Sequence, residues 1–321
     1  MRIRRRGVRR PRLAPELDDL PLGNVRTRLA AARTVGRADT EITAAQQVLR
    51  QTGTDWDRRA HRVGVLADVA FSLARHWHEL QPENPDATVL RAWSQWSRLR
   101  RAAADPDWST GGAAIDPEKT LNLCRRAAQL SPYDPIPWVI RLGLLRLHGR
   151  PREAILPVWE EIRKRDAWNR EACLQVLGYL SPEEQGSLAE LLDFVDSVQA
   201  VMPPGAPAAA LPLLTSVRDY HRRVAAGGAL SGLEAARFWT QPQAARVLDR
   251  ALRDLLSPDF LGTAVALADL NLLAYALVKA DRADDAAPVF LKIDGIVTPW
   301  PWGMDGDPVE RFTYWQRRSL D

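Results

Sequence analysis

Cysteine is scarce in this sequence, with Cys124 and Cys173 the only two among its 321 residues. They fall in separate segments of helical pattern and lack the spacing of a metal site, so a disulfide framework is excluded. Scarce, unpaired cysteine is typical of a reducing compartment. We therefore expect a cytoplasmic protein.

Long apolar runs are also missing. No stretch approaches the roughly 18 unbroken apolar residues of a membrane span, and no apolar segment follows the charged first residues, as a secretory signal would require. Hydrophobic residues make up 46% of the chain, which is typical of a globular protein rather than a disordered one. We expect no membrane partner.

The motifs of common enzyme classes are absent. The sequence has no Gly-x-Ser-x-Gly, Walker or His-Glu-x-x-His motif, and no dinucleotide fingerprint after a strand. His76 and His78 are two residues apart, which points them roughly 200° apart on a helix, whereas chelating histidines need a wider spacing. No catalytic residue, metal ligand or cofactor is predicted, although a triad assembled from distant segments stays open.

Lysine is rare as well, since 40 of the 44 basic residues are arginine. Seven arginines lie in residues 1 to 12 without an acidic residue, so the remainder holds 37 basic against 40 acidic residues. Together with Pro11, Pro15 and Pro21, this composition predicts a disordered arm over residues 1 to 22. The arm either docks on nucleic acid or an acidic partner, or is an unselected extension. Elsewhere the charge predicts no nucleic-acid partner.

A helical hairpin with its own start and stop signals lies in the middle of the chain. Asp134 can cap its first helix. The apolar stripe of that helix is Trp138, Leu142 and Leu145. The turn His148-Gly149-Arg150-Pro151 ends the helix with a glycine that is free to adopt positive φ. The stripe of the second helix is Ile155, Val158 and Ile162. Neither helix can bury its stripe alone, so we expect the pair to stack on neighbours.

This hairpin resembles a tetratricopeptide repeat, in which about 34 residues form two helices. Counting Pro135 as the first position places Trp138 fourth and Glu153-Ala154 nineteenth and twentieth. The sequence departs from the family pattern at Arg141-Leu142, where the family favours Leu-Gly, and at Val158, which stands at an aromatic site.

Three further segments resemble a group of actinobacterial tetratricopeptide-like proteins. They are Asp55-Trp56-Asp57-Arg58-Arg59, the Pro-Pro-Gly loop before Leu211-Pro212-Leu213, and Pro299-Trp300-Pro301-Trp302 before Gly306-Asp307-Pro308. The resemblance covers most of residues 25 to 318. It implies an all-α fold, a right-handed α-solenoid of stacked helical hairpins over residues 23 to 293. It implies no chemistry, so no catalytic residue is carried over.

Residues 294 to 321 differ in character from the helices before them. They follow a second predicted proline-entered helix, in which Pro288-Val289-Phe290 echoes Pro157-Val158-Trp159. They also carry Trp300 and Trp302 beside prolines. The last hairpin of a solenoid exposes the face that a successor would bury. We therefore predict that this segment forms a Trp/Pro-rich C-terminal cap.

The predicted function is that of a non-catalytic scaffold that binds a protein or peptide on the concave face of the solenoid. The alternative is an enzyme or small-molecule-binding protein with a pocket between the solenoid and the Trp-rich C-terminal segment. The candidate groove residues are Arg62, Arg91, Arg98, Arg146, Asn271 and Tyr275.

Overall fold

The computed structural model describes residues 9–31, 38–105, 115–227, 235 and 237–321. Within these ranges it contains sixteen α-helices and only two short strands, β1 (Arg12–Leu13) and β2 (Ile296–Val297). The predicted all-α class is confirmed. None of the helices in the described ranges is both long enough and apolar enough to cross a membrane.

The chain divides into two compact units. The first unit comprises Asp19–Phe194, and the second comprises the described residues up to Asp18 together with Val195–Asp321. The boundary falls inside α10 (Leu188–Val201), within residues 23 to 293, which the sequence predicts as one continuous solenoid.

The helices of the first unit before this boundary are α1 (Leu20–Ala31), α2 (Ala38–Arg50), α3 (Trp56–Val69), α4 (Phe71–Leu80), α5 (Pro85–Ala104), α6 (Pro117–Leu130), α7 (Ile136–Leu147), α8 (Arg152–Arg165) and α9 (Arg170–Tyr179). Those of the second unit are α11 (Leu211–Ala225), α12 (Pro242–Asp254), α13 (Pro258–Leu261), α14 (Ala266–Lys279), α15 (Ala283–Ile293) and α16 (Pro308–Leu320). A 3₁₀ turn at Trp302–Asp305 precedes α16.

Polar side chains begin several helices of the first unit. Asp55 accepts a hydrogen bond from the Arg58 amide at 3.0 Å and caps α3, as the sequence predicts. At α5 the sequence favours Asp86 as the cap, whereas Asn84 Oδ1 accepts from the Asp86 amide at 3.0 Å. The Asp86 carboxylate instead lies 2.7 Å from Arg59 on α3. A tertiary ion pair therefore takes the place of the expected local cap.

The α7–α8 hairpin has the local structure that the sequence indicates. Asp134 Oδ1 accepts from the Ile136 amide at 2.8 Å at the start of α7. Gly149 adopts a φ of +57°, and the Arg150 amide donates to the Leu145 carbonyl at 3.0 Å. This is the usual closure of a helix that ends in glycine.

The α14–α15 hairpin of the second unit has the same turn geometry. Asp281 has a φ of +57°, and the next amide, that of Arg282, donates to the Leu277 carbonyl at 2.9 Å. Pro288 is the sixth residue of α15, as Pro157 is of α8. Both prolines lie inside their helices, rather than at the helix entry that the sequence predicts.

The core of the first unit is built around tryptophans of α4 and α5. Trp77 and Trp96 expose none of their surface, and the Trp93 and Trp96 rings meet edge to face with centroids 5.2 Å apart. Gly143 on α7 lies directly against Trp96, because a Cβ there would be 2.2 Å from the indole. A glycine therefore permits the close approach of α7 to α5.

The chain ahead of α1 is ordered where the structure describes it, which differs from the predicted disordered arm. β1 pairs in parallel with β2, and the Arg12 amide donates to the Gly295 carbonyl at 2.9 Å. Leu17 is buried in one apolar cluster with Ile296. Pairing with a distant strand supplies hydrogen bonds and apolar contacts that the local composition lacks. Residues 1–8 of the predicted arm lie outside the described residues.

The aromatic side chains near the C-terminus differ in burial. Trp302 exposes none of its surface, and its ring centroid lies 5.3 Å from that of Tyr275 and 5.4 Å from that of Phe312. Trp300 is 36% exposed, and its ring lies 6.0 Å from that of His221. Trp302 therefore packs against α14 and α16, whereas Trp300 remains partly at the surface.

Candidate functional site

A groove of about 460 Å³ lies between α4, α5 and α6 of the first unit. We call it the basic groove, because four of its lining side chains are cationic and two are acidic. The charged lining residues are Arg75, Glu79, Glu83, Arg91, Lys119 and Arg126.

Phe71, the first residue of α4, contacts two arginines of α5. Arg91 and Arg98 are seven residues apart, which places them on one face of the helix. Their guanidinium carbons lie 4.9 and 4.1 Å from the Phe71 ring centroid, within the range of a cation–π interaction. These two predicted groove residues are thus held together, and Arg91 lines the basic groove.

Arg91 lies in an unfavourable electrostatic environment. Burial lowers the pKa of its guanidinium, and the nearby cations Arg75 and Arg98 lower it further, whereas Glu79 opposes them. Its Nη1 atom is buried and has no hydrogen-bond partner in the part of the chain that the structure describes. Buried donors are nearly always paired in folded proteins. The Arg91 guanidinium therefore lacks a hydrogen-bond acceptor at Nη1 and a carboxylate within ion-pair distance, among the residues described.

The acidic residues of the basic groove neutralise only part of its charge. Glu83 pairs with Arg126, and Glu79 lies 3.8 Å from a second arginine of the groove. Arg91 and Lys119 have no ion-pair partner among the residues described. The groove is therefore suited to a ligand that brings negative charge.

His78 also lines the basic groove, and its Nδ1 lies 3.3 Å from Thr88 Oγ1. Burial lowers the pKa of His78 and Arg91 lowers it further, whereas Glu79 opposes them, so the environment favours the neutral imidazole. Within the described ranges, no group of three His, Cys, Asp or Glu side chains is placed to hold a metal ion. The groove thus offers donors and positive charge for binding.

Arg62, predicted from the sequence as a groove residue, is instead buried in an ion pair. It is 5% exposed, its Nε lies 2.7 Å from Asp19 Oδ2, and its Nη1 donates to the Val48 carbonyl at 2.6 Å. Burial acts to raise the pKa of Asp19, but hydrogen bonds from Arg62 and the Leu22 amide outweigh it and hold that pKa below its ordinary value. Arg62 therefore joins helices and is not available to a ligand.

Arg146 also differs from the predicted groove role. Its Nε donates to Glu184 Oε2 at 2.8 Å, and its Nη1 donates to Gln175 Oε1 at 2.9 Å. The guanidinium packs on Gly178, where a Cβ would lie 1.9 Å from the Arg146 Cζ. Because α9 has no side chain at that position, Arg146 lies on the helix with its donors occupied.

Asn271 and Tyr275 lie in the second unit, whereas the four predicted arginines lie in the first. Neither exposes any surface, so neither lines an open groove as predicted. Asn271 Nδ2 donates to the Ile296 carbonyl at 2.9 Å, and its Oδ1 accepts from the Trp302 indole at 3.0 Å. Asn271 therefore joins α14 to β2 and to the 3₁₀ turn, as a buried amide that must satisfy its own donors and acceptors.

Tyr275 belongs to a chain of polar side chains next to the Trp-rich segment. Its hydroxyl lies 2.9 Å from His221 Nε2 and donates to Asp305 Oδ1 at 3.3 Å, and Lys279 Nζ lies 2.7 Å from Asp305 Oδ2. Burial raises the pKa of Tyr275 and lowers that of His221. These groups are located where the predicted alternative places a small-molecule pocket. Hydrogen bonds and an ion pair join them to one another, so these side chains connect α11, α14 and the 3₁₀ turn.

Sequence reasoning missed Arg75, Lys119 and Arg126. Each is a charged residue on an amphipathic helix, where such residues usually face solvent, so its local pattern does not distinguish it. The sequence does contain one indication. If a helix begins after Asp116, then Lys119 and Arg126 are seven residues apart and lie on one face of it.

The chain matches no protein-family model and no curated protein. The tetratricopeptide resemblance therefore stays a prediction.

Proposed function

We propose that this protein is a non-catalytic cytoplasmic scaffold that binds an acidic segment of a partner protein in the basic groove. The observation that carries the proposal is Arg91, a partly buried cation beside other cations, with an unpaired donor at Nη1. Carboxylates are suitable partners, because charge-assisted hydrogen bonds to arginine are about twice as strong as neutral ones. A rotation of the guanidinium would turn its unmet donor toward such a ligand.

The dimensions of the basic groove suit a short extended segment. Its volume of about 460 Å³ falls within the roughly 300–1,000 Å³ of typical ligand sites. Arg91 stands on the α5 wall and Lys119 on the α6 wall. Successive acidic side chains of an extended peptide point to opposite sides, so one peptide can present a carboxylate to each wall.

The proposal includes a right-handed solenoid of hairpins closed by residues 294 to 321. It is supported by the shared turn geometry and interior proline of α7–α8 and α14–α15, and by the burial of Trp302. In such an array α5 would be a first helix, and α4 and α6 would be the second helices of successive hairpins, so the basic groove lies between one first helix and the two second helices beside it.

Two labelled peptides of about ten residues test the proposal, one alternating glutamate with serine and the other alternating lysine with serine. Fluorescence anisotropy with the full-length chain should show the acidic peptide binding at least about tenfold more tightly. Its affinity should fall as salt is added, because screening weakens exposed charge interactions. Equal affinity for the two peptides would refute the proposal.

A pair of matched variants locates the binding site. Arg91→Gln with Lys119→Gln removes both uncompensated cations and should weaken acidic-peptide binding by about tenfold or more. The control, Arg50→Gln with Arg125→Gln, removes the same charge from exposed positions that do not line the groove. An equal loss in the two variants would mean that net charge, rather than the groove, attracts the peptide.

A further inference from the structure

A second basic surface lies in the second unit. It is a groove of about 770 Å³ between the chain at Arg10–Pro11 and α16. We call it the terminal groove. Its α16 wall includes Tyr314, Arg317 and Arg318, which stand three and four residues apart and therefore share a helix face.

Backbone pairing holds the first described residues beside this wall. The Arg12 amide donates to the Gly295 carbonyl at 2.9 Å, and Arg9 Nε lies 3.1 Å from Asp294 Oδ2. A Cβ on Gly295 would lie 2.7 Å from the Arg9 carbonyl oxygen, so the two backbones are in close contact. Arg10 therefore reaches the terminal groove from a backbone that is held at Arg9 and at Arg12.

Positive charge is concentrated at this groove. Three arginines line it against two acidic residues, Glu310 and Asp321. Arg10 and Arg317 have no ion-pair partner within the described part of the chain. The neighbouring described residues 9 to 12 hold three arginines and no acid. The unpaired arginines of this groove thus suit a polyanion.

An exposed aromatic ring stands among these arginines. Tyr314 is 52% exposed, and its ring lies edge to face with that of Trp315 at a centroid distance of 5.1 Å. The Arg318 guanidinium carbon lies 5.8 Å from the Trp315 ring centroid. Proteins that hold single strands combine arginines that contact phosphates with rings on which bases stack. The α16 wall presents both kinds of group on one face.

We propose that the terminal groove binds single-stranded nucleic acid, with Arg10, Arg317 and Arg318 contacting phosphates and Tyr314 stacking on a base. An acidic peptide or an anionic lipid surface would use the arginines alone. Only a nucleic acid offers a repeated phosphate together with a planar base, so the exposed ring favours it. This inference does not depend on the function proposed for the basic groove.

Anisotropy of a labelled oligothymidylate of about 20 nucleotides, titrated with the full-length chain at several salt concentrations, tests this inference. Arg317→Gln with Arg318→Gln should weaken binding by about tenfold and reduce the slope of log affinity against log salt by about 1.4, since each phosphate contact on a single strand contributes about 0.7. Tyr314→Ala should weaken binding about fivefold or more with the slope unchanged, and Tyr314→Phe should retain binding.

Two control variants make the test specific. Arg246→Gln with Arg253→Gln removes two exposed arginines from α12 of the same unit and should leave oligothymidylate binding unchanged. Arg91→Gln with Lys119→Gln should leave it unchanged too, which separates this inference from the basic groove. The inference is overturned if a folded Tyr314→Ala binds like the wild type, or if the α12 variant loses as much affinity. Tighter binding to polyglutamate or to phosphatidylglycerol vesicles than to oligothymidylate would overturn it as well.

Discussion

Replacing Arg59 with methionine is expected to destabilise the first unit by about 3–5 kcal/mol. Arg59 is a buried residue of α3, and its Nη2 lies 2.7 Å from Asp86 Oδ1 at the start of α5. Its Nε lies 2.7 Å from Asp134 Oδ2, just before α7. One guanidinium thus connects three helices, and methionine would fill much of the space without replacing the charge.

Most of this cost is expected to come from Asp134. Its side chain is 1% exposed; burial raises the pKa of its carboxyl, and Arg59 opposes that shift. Without Arg59 the carboxylate keeps the hydrogen bond from the Ile136 amide at 2.8 Å but has lost its counter-charge. Removing one partner of a buried ion pair is costly because the remaining charge stays buried. The Asp86 side chain is 11% exposed, so water can solvate its carboxylate more readily than that of Asp134.

Urea unfolding followed by far-UV circular dichroism measures this change, with the two units fitted as separate transitions where the curve resolves them. Arg58→Met is the matched control, because Arg58 is 31% exposed at its side chain and pairs with the half-exposed Asp55 at 3.0 Å. It also lies 3.8 Å from Asp19, but that carboxylate keeps its closer bonds to Arg62 when Arg58 is replaced. The Asp55 pair contributes within about 1 kcal/mol. Adding Asp134→Asn to Arg59→Met should cost less than the sum of the single changes, because no unpaired charge remains. Equal stability of the Arg58 and Arg59 variants would refute the reasoning.

Three further outcomes are expected. The pKa of Asp19 is lowered in the folded state, so its contribution to stability is present above its ordinary pKa and is lost as pH falls through the lowered value. In urea titrations, the stability difference between wild type and Asp19→Asn should therefore shrink below about pH 4. A difference that stays constant with pH would contradict this. Gly143→Ala should cost about 1–3 kcal/mol in urea unfolding, because its Cβ would overlap the fully buried Trp96 indole, whereas Gly303→Ala, with nothing within 4 Å, should cost less than about 0.5 kcal/mol. Trp302→Ala should destabilise the second unit by about 3–5 kcal/mol in the same assay, and replacing the partly exposed Trp300 with alanine should cost clearly less. A larger loss of stability for Trp300→Ala would contradict the assignment of Trp302 as the main buried residue of this segment.

The sequence by itself determined the helices and several of their ends. Asp55 and Asp134 begin α3 and α7 through hydrogen bonds to amides two or three residues away. Gly149 ends α7 because a residue without a Cβ adopts positive φ at little cost. The helix Pro117–Leu130 begins directly after Asp116, whose carboxylate accepts from the Glu118 amide at 3.0 Å. These interactions close within one helical turn, so the order of residues contains the information that decides them.

The candidate site could be predicted only in part. Arg91 and Arg98 were recognisable as arginines on one face of a long helix, and the structure brings both to Phe71. Lys119 was not recognisable, since it lines the same groove as Arg91 only because α6 packs against α5. Helical periodicity tells which residues share a face of one helix, but not which face of another helix meets it.

Tertiary structure alone decided which arginines remain open to a ligand. In the sequence Arg62 and Arg91 look alike, yet Arg62 meets Asp19, 43 residues away, in a buried ion pair, whereas Arg91 lies among other cations. In the same way, β1 is ordered because β2 pairs with it from the far end of the chain. Composition near residue 12 predicts disorder, since a local stretch cannot reveal the partner that supplies its hydrogen bonds. Contacts between segments this far apart depend on the path of the folded chain, which no local pattern encodes.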